Sequence, residues 1–192
     1  MRTKTPQQAE KMLAAAARLF AGQRFHEVRM EDIAAEAAVG KGTLYRYFAD
    51  KEELFLALLD RASAQLHDRL QQQVVPVAEP RRRLVAVVAT IIGFFDEQPH
   101  LLDLIQREEV LLGPDFPWRK TRDELLRLVL ETFAEARARK EFVIDDPETA
   151  ALMLLAGLRG VIRFGRKPRP RHLAERIVRA FLGGHDTLGG SR

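Results

Sequence analysis

The sequence predicts an all-α fold, and three observations carry that prediction. Apolar residues recur at three- and four-residue spacing in almost every segment, no stretch alternates apolar and polar residues for long, and prolines and glycines cut the chain into blocks of helical length. With 46% hydrophobic and 30% charged residues, the 192-residue chain holds enough apolar material for a packed core. There is no cysteine, which removes disulfides, thiolate metal sites and cysteine nucleophiles and points to a cytoplasmic protein. The N-terminal MRTKTPQQAE lacks the apolar centre of a signal peptide and the longest apolar run, TAALMLLAGL, is far short of a bilayer span, so no membrane association is expected.

The elements follow in order. Thr5, Pro6 and Gln8 read as N-cap, first helical residue and capping-box partner, after which Ala9, Met12, Leu13, Ala16, Leu19 and Phe20 form one stripe that Gly22 ends. A short second helix is carried by Met30, Ile33, Ala34 and Ala37, and a third by Leu44 and Phe48, which share a face. Asp50 with Glu53 opens a long helix through Leu54, Phe55, Leu58, Leu59, Ala62, Leu66 and Leu70, ending before Pro76. Further helices are expected at 80–97, 100–112, 117–139, 147–165 and 170–182, with GGHDTLGGSR as a frayed tail. No internal repeat or low-complexity linker interrupts this series, and the expected division is an N-terminal module at 1–50 followed by a larger helical domain at 51–192.

Two short helices joined by a tight turn have the geometry of a helix-turn-helix, in which the second helix enters the DNA major groove. With Ile33, Ala34, Ala37 and Val39 packing the elbow and Leu44 and Phe48 facing inward, Lys41, Gly42, Thr43, Tyr45, Arg46 and Tyr47 are left outward. Gly42 permits close backbone approach, the hydroxyls can donate to phosphates, and Arg46 can reach a phosphate or a guanine edge. Lys51 at the start of the next helix adds a further phosphate contact. The charge distribution agrees only weakly. Residues 1–51 carry nine Lys/Arg against six Asp/Glu, but residues 163–192 are more basic still, with eight against two.

The stretch RMEDIAAEAAVGKGTLYRYFADKEELF, supported by AARLFAGQRFHEV upstream and by Phe25 as an aromatic after glycine, resembles the TetR-type transcriptional regulators. The pattern GTLYRYF followed by KEELF is specific and covers about a quarter of the chain. The resemblance implies a helix-turn-helix DNA-binding domain with a larger ligand-binding and dimerisation domain, forming a homodimer that reads a palindromic double-stranded operator. A small, largely apolar effector would release it, and repression is the expected sign. By the same resemblance, Thr43, Tyr45, Arg46, Tyr47 and Lys51 fall where the family contacts DNA. Two departures stand out. Arg29 replaces the usual Ser or Thr at the start of the second helix, where it would exchange a hydroxyl contact for an ionic one, and Ala38 and Gly40 replace the usual glycine and serine of the turn. If the turn needs a positive φ at Ala38, alanine costs about 1 kcal/mol there.

In the larger domain, ETAALMLLAGLRGVIRFG is apolar nearly all round and the last helix presents Leu173, Ile177, Val178, Phe181 and Leu182. The resemblance implies that these two helices form a four-helix dimer interface with their mates, with Leu154, Gly157, Val161, Ile177 and Phe181 as candidates. Phe94, Phe95, His100, Leu104, Gln106, Arg107, Glu108, Trp118 and Phe133 are candidates for an effector pocket. No cofactor or metal is expected. Glu97-x-x-His100 and His172-x-x-Glu175 are isolated pairs, whereas a di-iron bundle needs two such pairs and two more carboxylates. With serine only at 63 and 191 there is no nucleophile elbow, and no phosphate-binding glycine loop occurs, so an enzyme is not expected. The alternative is a helical adaptor without specific DNA binding, which would leave Lys41 to Tyr47 without a purpose.

Overall fold

A computed structural model of the chain describes residues 5–23, 25–98, 101–102, 104–105 and 118–186. Among these residues there are eight main helices and no strand: α1 (Pro6–Gly22), α2 (Met30–Glu36), α3 (Lys41–Tyr47), α4 (Lys51–Gln73), α5 (Pro80–Glu97), α6 (Trp118–Ala138), α7 (Pro147–Phe164) and α8 (Leu173–Asp186). No helix among the described residues is long and apolar enough to cross a membrane. The expected helix at 100–112 is helical at 101–102 and 104–105, and its remaining positions lie outside the described residues.

The chain forms two compact units, Met1–Ala64 with Pro99–Trp118, and Gln65–Gln98 with Arg119–Arg192. The boundary expected at residue 50 falls inside the first unit, because the first half of α4 packs on the helices before it. Phe55 meets Phe20 edge-on at 5.6 Å and Phe25 at 5.2 Å, and Phe20 stacks on Phe25 at 5.4 Å. Arg61 of α4 pairs with Glu10 of α1. In the same unit α1 packs on α2 and α2 on α3, over a core of Met12, Ala16, Phe20, Ile33, Leu44 and Leu54.

Helix ends follow local chemistry. Asp50 accepts from Glu53 N at 2.7 Å while the Glu53 carboxylate takes Ala49 N at 2.6 Å, so both members of the expected pair cap α4. Thr5 stands at the N-cap of α1 without a side-chain bond, and Gln8 does not return to it as expected. The Gln8 Oε1 atom instead accepts from the Tyr47 hydroxyl at 2.9 Å, and that hydroxyl receives Thr5 N at 2.6 Å. A tyrosine from α3 thus substitutes for the local cap.

In the second unit α5 packs against both α7 and α8. Carboxylate caps precede Pro80 and Pro147: Glu79 accepts from Arg81 N and Arg82 N, and Asp146 from Thr149 N. The α7 helix ends under Arg169, which donates to Val161 O at 2.7 Å and Ile162 O at 2.9 Å while gripping Asp96 of α5 at 2.7 and 2.8 Å. The last helix begins three residues later than expected, at Leu173, because Pro168, Pro170 and a left-handed His172 (φ 54°) precede it. It also runs through Gly183 to Asp186, where a frayed tail was expected.

Candidate nucleic-acid interface

The elbow between α2 and α3 is built by a short run of backbone bonds. Ala38 N donates to Ala35 O at 3.0 Å and Val39 N to Ala34 O at 2.9 Å, which closes α2 and turns the chain. The turn requires φ 52° at Ala38, so the strain expected from the missing glycine is present. Gly40 then serves as N-cap of α3 with no side chain to offer, and Thr43 N returns to Gly40 O at 2.8 Å. Arg29 stands at the N-cap of α2 and gives it no side-chain bond; its backbone N–H is held by Asp32 at 3.2 Å, and its guanidinium is exposed.

Leu44 and Phe48 are buried beneath α3, and Lys41, Gly42, Tyr45 and Arg46 are exposed above it, with Thr43 half-buried between. Tyr45 is 40% exposed and lies under the Lys41 ammonium at 5.8 Å. Nothing lies within 4 Å of where a Cβ on Gly42 would sit, so the glycine is not required by packing.

Two of the eight expected contact residues are placed differently. Tyr47 is only 8% exposed, its hydroxyl committed to Thr5 and Gln8, so it lies under the face and not on it. Its position three residues after Leu44 carried that signal, since i and i+3 share a side of a helix. Lys51 is half-buried and donates to Phe25 O at 2.8 Å and Val28 O at 3.0 Å, with its ammonium 4.5 Å above the Phe25 ring. It ties the start of α4 to the turn between α1 and α2. Glu31 was not singled out by sequence, and it pairs with Lys41 at 2.5 Å. Hydrogen bonding between the two holds the Glu31 carboxyl below and the Lys41 ammonium above their ordinary pKa values.

Of the effector candidates, His100, Arg107 and Glu108, with Gln106, lie outside the described residues. Phe94, Phe95 and Phe133 are buried in the second unit, where Phe94 meets Phe95 edge-on at 5.3 Å and Phe133 stacks on Phe181 at 6.1 Å. Leu104 and Trp118 are buried and belong to the first unit. Of the association candidates, Leu154 faces the core of its own unit, Gly157 is exposed, and Val161, Ile177 and Phe181 are half-buried. Three residues of α7 that were not singled out are more exposed: Leu152 at 50%, Met153 at 66% and Phe164 at 79%. Among the described residues, no group of three or more His, Asp or Glu side chains is gathered as a metal site.

The profile of bacterial regulatory proteins of the tetR family matches residues 12–58, which span α1 to the first turns of α4 and contain the whole elbow. Over these residues the chain is similar to the tetR family. The HTH-type transcriptional activator FasR of Mycolicibacterium smegmatis is 31% identical over 103 residues, covering 54% of this chain and 47% of FasR. The chain thus spans about half the length of that relative. The HTH-type transcriptional repressor KstR of Mycobacterium tuberculosis is 26% identical over 167 residues, 85% of this chain and 75% of KstR. Among solved structures, the transcriptional regulator FadR of Bacillus subtilis in complex with stearoyl-CoA superposes with a TM-score of 0.72 at 18% identity, covering 91% of this chain and 98% of FadR. At that identity the likeness concerns the fold alone.

Proposed function

We propose that this chain is a cytoplasmic, non-catalytic transcriptional regulator, a repressor, which binds a palindromic double-stranded operator as a homodimer. The observation that carries this reading is the exposed Lys41, Gly42, Tyr45 and Arg46 face of α3, held outward by buried Leu44 and Phe48. Thr43, Lys41 and Arg29 contact phosphates, Arg46 reaches a base edge or phosphate, and Gly42 admits the sugar-phosphate backbone. In a homodimer, two such helices meet successive major grooves about 34–36 Å apart. The contact between copies is made by Met153, Ala156, Gly157, Gly160 and Phe164, which recur at helical spacing on the outer side of α7, with Ile177 and Phe181 of α8 beside them.

A small, largely apolar effector releases the DNA by binding better to a conformer that does not fit both grooves. The stearoyl-CoA carried by FadR favours an acyl thioester as the effector class, bound among buried aromatics such as Phe94, Phe95 and Phe133, and the repressor KstR favours the repressor sign. Selection of bound sequences from a random duplex library at near-physiological salt tests the reading. Enrichment of a palindrome is expected, and addition of acyl-CoA thioesters should reduce its capture. A folded protein that enriches no sequence would favour the adaptor reading.

A further inference from the structure

Glu31 stands in the middle of the cationic face. It occupies the first turn of α2, beside exposed Arg29, and its carboxylate reaches across the elbow to the Lys41 ammonium of α3 at 2.5 Å. Both partners are open to solvent, Glu31 at 49% and Lys41 at 61% exposure, so the pair is not a requirement of the core. Phosphate needs the same ammonium. A duplex approaching α3 must therefore take Lys41 from Glu31, and once it has done so an unpaired carboxylate is left next to the phosphate that displaced it.

Resting on the DNA-binding reading above, we propose that Glu31 limits the sequence-independent affinity of this head, by holding Lys41 in competition with backbone phosphate. Contacts to base edges, such as those of Arg46, do not pass through Lys41, so the pair weakens binding to any duplex without weakening base readout. The non-specific background falls, and the ratio of specific to non-specific affinity is left to the base contacts. A purely structural role for Glu31 has a different signature. Its negative charge in the first turn of α2 favours the helix dipole, and losing it would lower thermal stability without touching the salt dependence of DNA binding.

The test uses the full chain and a random-sequence duplex, with binding followed by fluorescence anisotropy from low to near-physiological salt. Unaltered protein is compared with Glu31→Gln, Lys41→Gln and the double variant, each first checked for native helicity. Glu31→Gln should bind about two- to five-fold more tightly at low salt, the range expected for freeing one exposed pair. Its plot of log affinity against log salt should steepen by about 0.9 for each head engaged. In the Lys41→Gln background the same change should gain clearly less, because only the repulsion between carboxylate and phosphate is then left to relieve. Equal affinity and equal salt slope for Glu31→Gln and the unaltered protein would overturn the inference, as would the same gain with and without Lys41. If the unaltered protein binds no duplex at all, the DNA-binding reading itself fails, an outcome distinct from either of these.

Discussion

At Ala38 a methyl group is held at φ 52°, a conformation that costs an L-residue about 1 kcal/mol or more and costs glycine almost nothing. Ala38→Gly should raise the stability of the head by roughly 0.5–1 kcal/mol, the gain being partly offset by the greater freedom of glycine in the unfolded chain. Chemical denaturation with an unchanged m-value would measure it. The two tyrosines of α3 should part company in a similar way. Tyr47→Phe removes a hydroxyl bonded to Thr5 and Gln8 and should cost about 1–2 kcal/mol of stability with little change in DNA affinity, whereas Tyr45→Phe should leave stability unchanged and weaken duplex binding. The type of these residues was legible in the sequence, and so was the strain at Ala38. The i+3 spacing from Leu44 marked Tyr47 as the one turning inward, and what could not be read was the partners of its hydroxyl, because Thr5 and Gln8 lie at the start of a helix some forty positions away. Lys51 is the same case: a lysine at a helix start suggests phosphate, and only the packed turn with carbonyls at Phe25 and Val28 shows its ammonium already engaged.

Individual helices were legible where caps are local in sequence. Asp50 with Glu53, and the carboxylates before Pro80 and Pro147, mark ends that short-range geometry alone determines. The late start of α8 was not legible, since the link between α7 and α8 is fixed by Arg169 reaching from one helix end to another. Asp96 supports that arrangement. Hydrogen bonds from Arg169, and then Lys167, hold its carboxyl below the ordinary value of 3.8. A carboxylate with a lowered folded-state pKa contributes stability that is complete above its unfolded-state value and is lost as pH falls through the lowered one. Asp96→Asn should therefore cost about 2 kcal/mol near neutral pH and flatten the acid side of the stability profile, a difference that thermal melts across the acid range would reveal. Gly165 belongs to the same device: a Cβ there would press on Val161 O and stand 2.6 Å from the Arg169 guanidinium, so Gly165→Ala should destabilise the end of α7. Gly42→Ala makes the opposite contrast. It should stabilise α3 by about 0.5–1 kcal/mol while weakening duplex binding, if the glycine is there to admit the backbone of DNA.

For the molecule as a whole, apolar periodicity conveyed the helical class and the motif in residues 12–58 conveyed the head, but the outward stripe of α7 was hidden in a segment apolar nearly all round. Such a helix does not announce which of its sides its own chain will cover. Leu154 turned inward, while Met153 and Phe164 stayed bare. The double variant Met153→Glu with Phe164→Glu should leave helicity intact, yield a monomer in sedimentation, and lose most operator affinity by separating the two heads. The exposure of Met153 has one more consequence. In a chain without cysteine, and with Met12 and Met30 buried, its thioether is the sulfur among the described residues that an oxidant meets first. Mild peroxide should convert it to the sulfoxide in dilute, dissociated protein and spare it in concentrated, paired protein, so that a single added oxygen in the mass spectrum would report the association.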